Sequence, residues 1–395
     1  MDKLARTQSL SSDTRNACTM IHPTITPFLD QCFADMALNS QGGILEVSKP
    51  KSSCMEHVNE RTCDRFTLGI PYCGSQVYWE VVFDRRHLDD PPDVIFSAED
   101  DELNFDPDIE KLTTLARWSR GNSCSLCSLL EELLSEYKSH HRLIVEQQQR
   151  LKFELSTLEG GDCFSNVDVH CTKPSDKQCF EPVTKFYILL SVDFSSIPAY
   201  LTKNNPGNDE AALLITYHPP VGSKVTTSLF LSPRVEKMLG GSHQIRLPSW
   251  GGERTSHIID YVDVVQRILQ EKVQSIVQSY IMRKECVAAF LSVFGQSVLE
   301  YDTEDFKMMS YLFELQGFSF IARFSFSDSF PQEKPTLFLQ SVYHRFHSMP
   351  CQSEISDYPY SPRWSVDELV DRMREYIGSI AVDFMELSKT KGECL

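Results

Sequence analysis

The sequence predicts an α+β fold in which antiparallel β-meanders are flanked by helices. Apolar residues alternate with polar or small ones from Phe66 to Ile70 and again from Val77 to Phe83, with a Cys-Gly-Ser turn at 73–75 between the two runs. A period of two is typical of strands with one buried face, and the glycine turn joins them as a hairpin. The last third of the chain repeats the same order of elements, which indicates a duplicated domain.

Helical patterns enclose the first meander. Segment 22–40 has apolar residues at helical spacing, and Pro27 near its start is tolerated in the first turn of a helix. The stretch 89–92, Asp-Asp-Pro-Pro, breaks the sheet, and a long acidic loop then leads to Trp118. An amphipathic helix follows, with its apolar positions at Leu126, Leu129, Leu130, Leu133, Leu134 and Tyr137.

The last third begins with an amphipathic helix from Val273 to Phe294, which Gly295 ends. Strands are predicted at 308–315 and 318–326 around the turn Gln316-Gly317, and a third is predicted at 336–342. A loop rich in Ser, Pro and Tyr then reaches Trp364 and a final amphipathic helix.

The middle of the chain is less regular. A polar helix at 137–158 precedes a Gly-, Cys- and Ser-rich loop at 159–180, strands are predicted at 186–192, 211–217 and 226–231, and a helix at 258–269 runs into the last module. We predict a disordered tail at 1–20, an N-terminal module at 21–150, a degenerate middle module at 151–268 and a C-terminal module at 269–388.

Composition limits the classes of function. The 395 residues carry a formal net charge of -17, whereas nucleic-acid binding needs an excess of Lys and Arg on one face. No apolar run approaches the ~20 residues that span a bilayer, and the polar N-terminus lacks the pattern of a signal peptide. We therefore expect an intracellular protein that binds neither nucleic acid nor membranes.

The 13 cysteines are scattered along the chain, as expected for small buried apolar groups in a reducing compartment. Cys124 and Cys127 have C-x-x-C spacing, but a structural zinc site normally needs a second ligand pair, and none follows at a suitable spacing. We predict a structural role for this pair, with metal binding or redox chemistry as the alternative. No cofactor motif is present.

The order of helix, meander, Pro-Pro turn, long loop, Trp and helix is that of ubiquitin-conjugating enzymes and their inactive variants, the UEV and RWD domains. Both ends of the chain resemble this family, and the middle module resembles it in a degenerate form. The residues that carry the resemblance are Trp79 to Phe83, Pro91-Pro92, Phe96 and Trp118 in the first module, and Phe330-Pro331, Pro335, Phe338, Tyr343-His344, Pro362 and Trp364 in the last.

Longer stretches resemble the BRE family, whose members are subunits of the BRISC deubiquitinase and of the related nuclear A complex of the type-one breast-cancer susceptibility protein. The stretches are 63–66 (CDRF), 231–236 (LSPRVE), 259–262 (IDYV), 288–295 (AAFLSVFG), 340–344 (QSVYH) and 358–364 (YPYSPRW).

The BRE resemblance implies a non-catalytic scaffold in a hetero-oligomer. Its implied partners are a zinc-dependent (JAMM) deubiquitinase subunit, the inactive partner of that subunit and a von Willebrand A-like adaptor. The implied substrates are signalling ubiquitin chains joined through the sixty-third lysine of ubiquitin, with roles in ubiquitin signalling and the DNA-damage response. The implied localisation is cytoplasmic and nuclear.

The residues themselves argue against catalysis. A conjugating enzyme needs a thiolate to carry ubiquitin as a thioester and a polar group to stabilise the oxyanion. Between Pro92 and Trp118 there is neither Cys nor His. In the last module His344 stands where the family has the His of His-Pro-Asn, and Cys351 follows in the predicted loop, but Arg345-Phe346 replace Pro-Asn. We predict no catalytic and no metal-binding residue; the alternatives are a ubiquitin-binding module and a residual conjugating enzyme that uses Cys351.

Several aromatic residues are predicted to pack rather than to bind. Trp79, Phe83, Phe324 and Phe338 fit the buried faces of the sheets, and Trp118 and Trp364 are expected to hold loops onto those sheets.

The loop before the last helix offers the candidate partner-binding residues Tyr358, Tyr360 and Arg363, since Tyr and Arg are favoured at interfaces. The alternative is that this loop covers its own domain.

Overall fold

The structure is a computed structural model that describes residues 11–35, 43–53, 62–97, 103–160, 167–174, 181–203, 207–220, 224–251, 257–347, 349–391 and 393–394. The chain divides into two compact units. The first unit comprises residues 1–192, 207–236 and 240–268, and the second comprises 193–206, 237–239 and 269–395.

The described residues form an α+β fold with antiparallel sheets, as the sequence predicts. The helices are α1 Ser12–Met20, α2 Thr26–Ala34, α3 Thr113–Ala116, α4 Ser125–Glu146, α5 Gln149–Glu159, α6 Ala199–Thr202, α7 Pro233–Leu239, α8 Ile258–Phe294 and α9 Val366–Lys391. The strands are β1 Glu46–Lys51, β2 Arg65–Tyr72, β3 Ser75–Val82, β4 Asp93–Ile95, β5 Val167–Thr172, β6 Val183–Leu189, β7 Ala211–His218, β8 Lys224–Leu231, β9 Val298–Tyr301, β10 Met308–Leu315, β11 Phe318–Ser325, β12 Thr336–Phe346, β13 Met349–Ile355 and β14 Glu393–Cys394.

The first sheet has the order β1-β2-β3-β4. The predicted β2–β3 hairpin is present, with Leu68 opposite Trp79. Its turn requires glycine at position 74, because φ is +69° there and a Cβ would lie 3.0 Å from the ring of Phe230. Trp79 and Phe83 are buried in the core of this unit, as predicted.

The second sheet, in the same unit, has the order β5-β6-β7-β8. Its strand β5 falls within the stretch 159–180, for which the sequence predicts a loop, and this prediction is wrong at 167–172. Strand β5 is fastened to the first sheet, since the hydroxyl of Tyr72 donates to the carbonyl oxygen of Val169 at 2.8 Å. The core around the first sheet also includes Tyr187 and Ala212 of the second sheet.

The N-terminal helices differ from the sequence prediction. Residues 12–20, predicted as part of a disordered tail, form α1, because Ser11 caps the helix through the N–H of Thr14 at 3.1 Å and both Thr14 and Ala17 are buried. Residues 1–10 of that predicted tail lie outside the described residues. Of the helix predicted at 22–40, residues 26–34 are helical and Asp35 is extended, while 36–40 lie outside the described residues.

The second unit is built on one sheet with the order β13-β12-β11-β10-β9, on which β14 pairs with β12. The β10–β11 hairpin matches the sequence prediction, and Phe324 is buried as expected. Phe338 does not face the core. Leu337 and Leu339 face the core instead. The prediction failed because residues 337–339 are all apolar, so the sequence pattern does not show which of them point inward.

Helix α8 is continuous from Ile258 to Phe294, so the chain passes from the first unit to the second within one helix. Within the described ranges, no helix is long and apolar enough to cross a membrane.

Candidate functional site

In the first module, packing contacts hold the loop that precedes Trp118. Phe105 is buried, with its ring centroid 5.0 Å from that of Tyr137 and 4.8 Å from that of Phe96. The ring nitrogen Nε2 of His140 lies 3.0 Å from the carbonyl oxygen of Leu103. These contacts hold the described part of the loop against the core, and its sequence contains no cysteine that could carry a thioester.

Trp118 also holds this loop in place. Its indole stacks on Phe28 at 5.5 Å between ring centroids, and its N–H donates to the carbonyl oxygen of Leu88 at 3.1 Å. The contacts are those expected of a tryptophan that pins a loop onto a core.

In the second unit, His344 and Cys351 lie on strands and not in a loop, which corrects the sequence prediction. The cause is a β12–β13 hairpin that uses residues beyond 342 as strand. Cys351 is only 6% exposed, and His344 is buried with Nδ1 3.0 Å from the hydroxyl oxygen of Ser341. A thioester-forming cysteine must meet the carboxyl terminus of ubiquitin, and Cys351 is closed to a partner of that size.

The pairing of β12 with β13 is irregular at this point. Gln340 pairs with Gln352 and Arg345 with Pro350, so more residues of β12 than of β13 occupy the interval. The Ser341 hydroxyl accepts hydrogen bonds from the N–H groups of Tyr343 and His344, which fixes the bulge. The histidine is therefore part of the hydrogen bonding that shapes the strand.

Tyr358 is buried, contrary to the prediction that it is exposed for a partner. Its hydroxyl donates to the carbonyl oxygen of Pro335, and Lys334 lies 5.1 Å from its ring centroid. Tyr360 is half-buried and donates to the carbonyl oxygen of Pro331. Burial, with the Cys286 thiol as a smaller influence, raises the pKa of Tyr360 to about 12, so the hydroxyl stays a donor at neutral pH.

The two tyrosines therefore cover their own domain, which is the alternative that the sequence left open. Arg363 is exposed, as predicted. The neighbouring Trp364 is half-buried and packs under the guanidinium of Arg372 at 4.3 Å. Nothing in the structure tests whether a partner contacts Arg363, and this role stays a prediction.

Sequence reasoning missed an accessible apolar surface of the second unit. On the outer face of its sheet, Phe338 and Ile321 line a shallow pocket of about 230 Å³ together with Arg323, Ser325, Gln340 and Gln352. The tip of the β12–β13 hairpin exposes Phe346 and Met349 by 50% and 64%. The sequence does carry a sign of this surface, since the consecutive apolar residues of β12 cannot all point into the core.

The first unit contains a buried polar cluster where β2, α4 and β5 meet. The rings of His141 and His170 are 5.0 Å apart, and both pack against Tyr137. The N–H of Cys171 donates to Nδ1 of His141 at 3.1 Å, and the Tyr137 hydroxyl lies 3.2 Å from Nε2 of His170. Burial lowers the pKa of His141 to about 2 and that of His170 to about 3, so both rings are neutral.

The fold and these sites define an α+β protein in which the candidate cysteine Cys351 and its neighbour His344 are buried, packed side chains. Residues 19–345 match the family model described as Brain and reproductive organ-expressed protein (BRE). The chain belongs to the BRE family.

Two relatives are similar over nearly the whole chain. A protein of Branchiostoma floridae named "BRISC and BRCA1-A complex member 2" is 38% identical over 383 residues, which cover 95% of this chain and 98% of the relative. A protein of Danio rerio with the same name is 34% identical over 389 residues, with 95% and 98% covered.

Proposed function

We propose that this chain is a non-catalytic scaffold subunit of complexes of the BRISC and BRCA1-A type. The observation that carries the proposal is similarity over 95% of the chain to two relatives whose names state membership of both complexes. Because the relatives are matched from end to end, the proposal uses the whole chain and not a shared domain alone.

The finer proposal is that the sheets and their helices are tandem UEV/RWD modules that bridge other subunits. Within the described residues, three antiparallel meanders, each with helices beside it, support this assignment. The bridged subunits are a zinc-dependent JAMM deubiquitinase, its inactive partner and a von Willebrand A-like adaptor, and the substrates are ubiquitin chains linked through the sixty-third lysine of ubiquitin. The proposed localisation is cytoplasmic and nuclear.

The scaffold role is favoured over conjugation because Cys351 is closed by its own sheet. Its exposure of 6% and the strand geometry around His344 support a packing role for both residues. A residual conjugating enzyme would need this hairpin to open before a thioester could form.

Affinity purification of the tagged full-length chain from cell lysate tests the proposal. We expect a JAMM subunit and a von Willebrand A-like protein in the eluate, with cleavage of chains linked through the sixty-third lysine of ubiquitin that a zinc chelator abolishes. An eluate that lacks these subunits would contradict the scaffold role. So would an eluate that still cleaves the chains although these subunits have dissociated from the tagged chain.

A second assay separates the scaffold from a conjugating enzyme. The purified chain is incubated with ubiquitin-activating enzyme, ATP and ubiquitin, and then resolved with and without a thiol reductant. We expect no thiol-sensitive ubiquitin adduct. An adduct that appears with the wild-type chain and disappears in Cys351→Ser would show that the chain conjugates ubiquitin. Cys124→Ser, which changes an exposed cysteine elsewhere, is the matched control.

A further inference from the structure

The end of α2 and the first turns of α4 bring together side chains that can bind a metal ion. Cys32 lies in the last turn of α2, and Asp35 is the C-cap of that helix. Cys127 and Glu131 are four residues apart near the start of α4, and this spacing places them on one face. Helix α2 packs against α4, so the two pairs face each other.

Three of these groups lie close enough to share one ion, and Cys32 joins them through its contact with Cys127. The ligand atoms of Asp35, Cys127 and Glu131 all lie within 4.8 Å of one another. The Cys127 thiol also hydrogen-bonds with Cys32 and donates to the carboxylate of Asp35. Bonds of about 2.0–2.3 Å around a tetrahedral zinc ion hold neighbouring ligand atoms roughly 3.5 Å apart, so small side-chain movements complete the geometry.

Burial distinguishes this group from a solvated acidic patch. Cys32 is 0% exposed and Cys127 is 3% exposed, while Asp35 is half-buried and Glu131 lies on the solvent side. The two thiols are thus the buried members of the group, and the two carboxylates lie nearer to solvent. Thiolate ligands select zinc-type ions, whereas magnesium and calcium prefer sites made of oxygen alone.

The electrostatics also favour a cation. The contact with Cys32 and burial raise the pKa of the Cys127 thiol, and burial and the Asp35 carboxylate raise the pKa of Glu131. The anionic forms of Cys127 and Glu131 are therefore disfavoured by their surroundings. The C-terminal end of α2 adds partial negative charge, because its last carbonyl groups point toward this end.

We propose that Cys32, Asp35, Cys127 and Glu131 form a structural site for a thiophilic divalent cation of the zinc class. The C-x-x-C pair is not itself a ligand pair, because Cys127 combines with residues at the end of another helix. Cys127 supplies a ligand, and Cys124, which is exposed, lies outside the group. The site goes beyond the proposed scaffold function and does not depend on it.

Metal binding by the full-length chain tests the proposal. The chain is purified under reducing conditions without a histidine tag, stripped of metal, and titrated separately with Zn²⁺ and with Co²⁺ as a spectroscopic probe. We expect about one equivalent of either ion per chain, a thiolate-to-cobalt charge-transfer band, and visible bands typical of tetrahedral cobalt. Failure to retain either ion after desalting would overturn the proposal, as would a cobalt spectrum without the thiolate band.

Variants assign the ligands. Cys127→Ser is expected to abolish the thiolate band and stoichiometric zinc binding. Glu131→Gln, which changes a group on the solvent side, is expected to weaken binding at least about tenfold without loss of fold, so the test holds even if Cys127→Ser does not fold. The matched control Cys124→Ser is expected to bind like the wild-type chain. Wild-type binding by both Cys127→Ser and Glu131→Gln would place the ion elsewhere and overturn the proposal.

The pH dependence gives an independent readout. Metal binding to protonated thiols releases protons, so affinity for Zn²⁺ is expected to rise with pH and proton release is expected to accompany binding. Glu131→Gln is expected to keep the thiol-linked part of this proton release, because both thiols remain. Binding without proton release at neutral pH would contradict thiol ligation and overturn the proposal.

Discussion

The first sheet and the sheet of the second unit start from the same hairpin pattern but present their outer faces differently. Strand β2 is buried at every residue from Phe66 to Tyr72, whereas β11 alternates between buried and partly exposed positions. On β2 an outward glycine, Gly69, lies under the ring of Tyr78, and a Cβ there would approach that ring to 3.0 Å. On β11 the outward residues Ile321 and Arg323 line an open pocket.

The comparison shows that alternation predicts which face of a strand is buried. It does not predict whether the opposite face is covered by neighbouring side chains or open to solvent. Small outward residues let neighbouring side chains close over the sheet. Long outward residues leave a surface with a pocket. A face of the second kind is where a soluble protein can offer binding groups without disturbing its core.

The largest expected difference between the two sheets concerns their aromatic residues. Trp79→Ala removes a side chain with 0% exposure that packs edge-on against Phe96 and Tyr137, so we expect a loss of ~3–5 kcal/mol in the free energy of unfolding. The matched change Phe338→Ala, on the open face, is expected to cost less than about 1 kcal/mol. Urea unfolding of the full chain, followed by circular dichroism, measures both. Equal losses would mean that the open face is covered in solution.

The next effect concerns pH, and it is expected in the first unit. His141 and His170 have folded-state pKa values of about 2 and about 3, below the ordinary value of 6.5. Between pH 6.5 and those folded-state values, the unfolded chain binds more protons than the folded chain. The free energy of unfolding therefore falls as the pH drops below 6.5, by up to about 1.4 kcal/mol per pH unit for each histidine. Unfolding measured from pH 7 to 5 tests this. His141→Gln is expected to flatten the profile, and an unchanged slope in that variant would refute the assignment.

The smallest effects are expected at two helix caps, one in each unit. The N–H of Thr14 donates to Ser11 Oγ at 3.1 Å, and the N–H of Glu368 donates to Ser365 Oγ at 3.2 Å. Ser11→Ala and Ser365→Ala are each expected to cost ~1 kcal/mol, because the helix loses a partner for one of its first N–H groups. Thermal unfolding of each variant and of its Gly counterpart measures the cost. A loss at Ser11 far below that at Ser365 would show that α1 is weakly docked.

The sequence predicted the hairpins well because their turns carry strong local signals. Gln316 and Gly317 both have positive φ, and the turn they form sets the register in which Leu315 pairs with Phe318. The same holds for Gly74 between β2 and β3. Local chemistry decides these features, so no knowledge of distant residues is needed.

Two of the predictions that failed depended on distant contacts. The prediction that Tyr358 is exposed rested on its place in a Pro- and Ser-rich loop, but Pro335, 23 positions earlier, accepts its hydroxyl hydrogen bond. Strand β5 has a weak pattern and is held by Tyr72, 97 positions away from Val169. The proposed metal group likewise joins Asp35 to Cys127, and no spacing rule within one segment could have connected them.

The hydrogen bond from Tyr72 to Val169 limits where the chain can be cut into fragments that still fold, both in evolution and in the laboratory. A fragment that stops at residue 150 keeps every strand of the first sheet but loses the acceptor of a fully buried hydroxyl. The same cut exposes the aromatic surface around Tyr137 that His170 covers. The first sheet and β5 therefore form one folding unit, so a gene rearrangement that separates them would yield a chain prone to aggregate rather than a smaller stable protein.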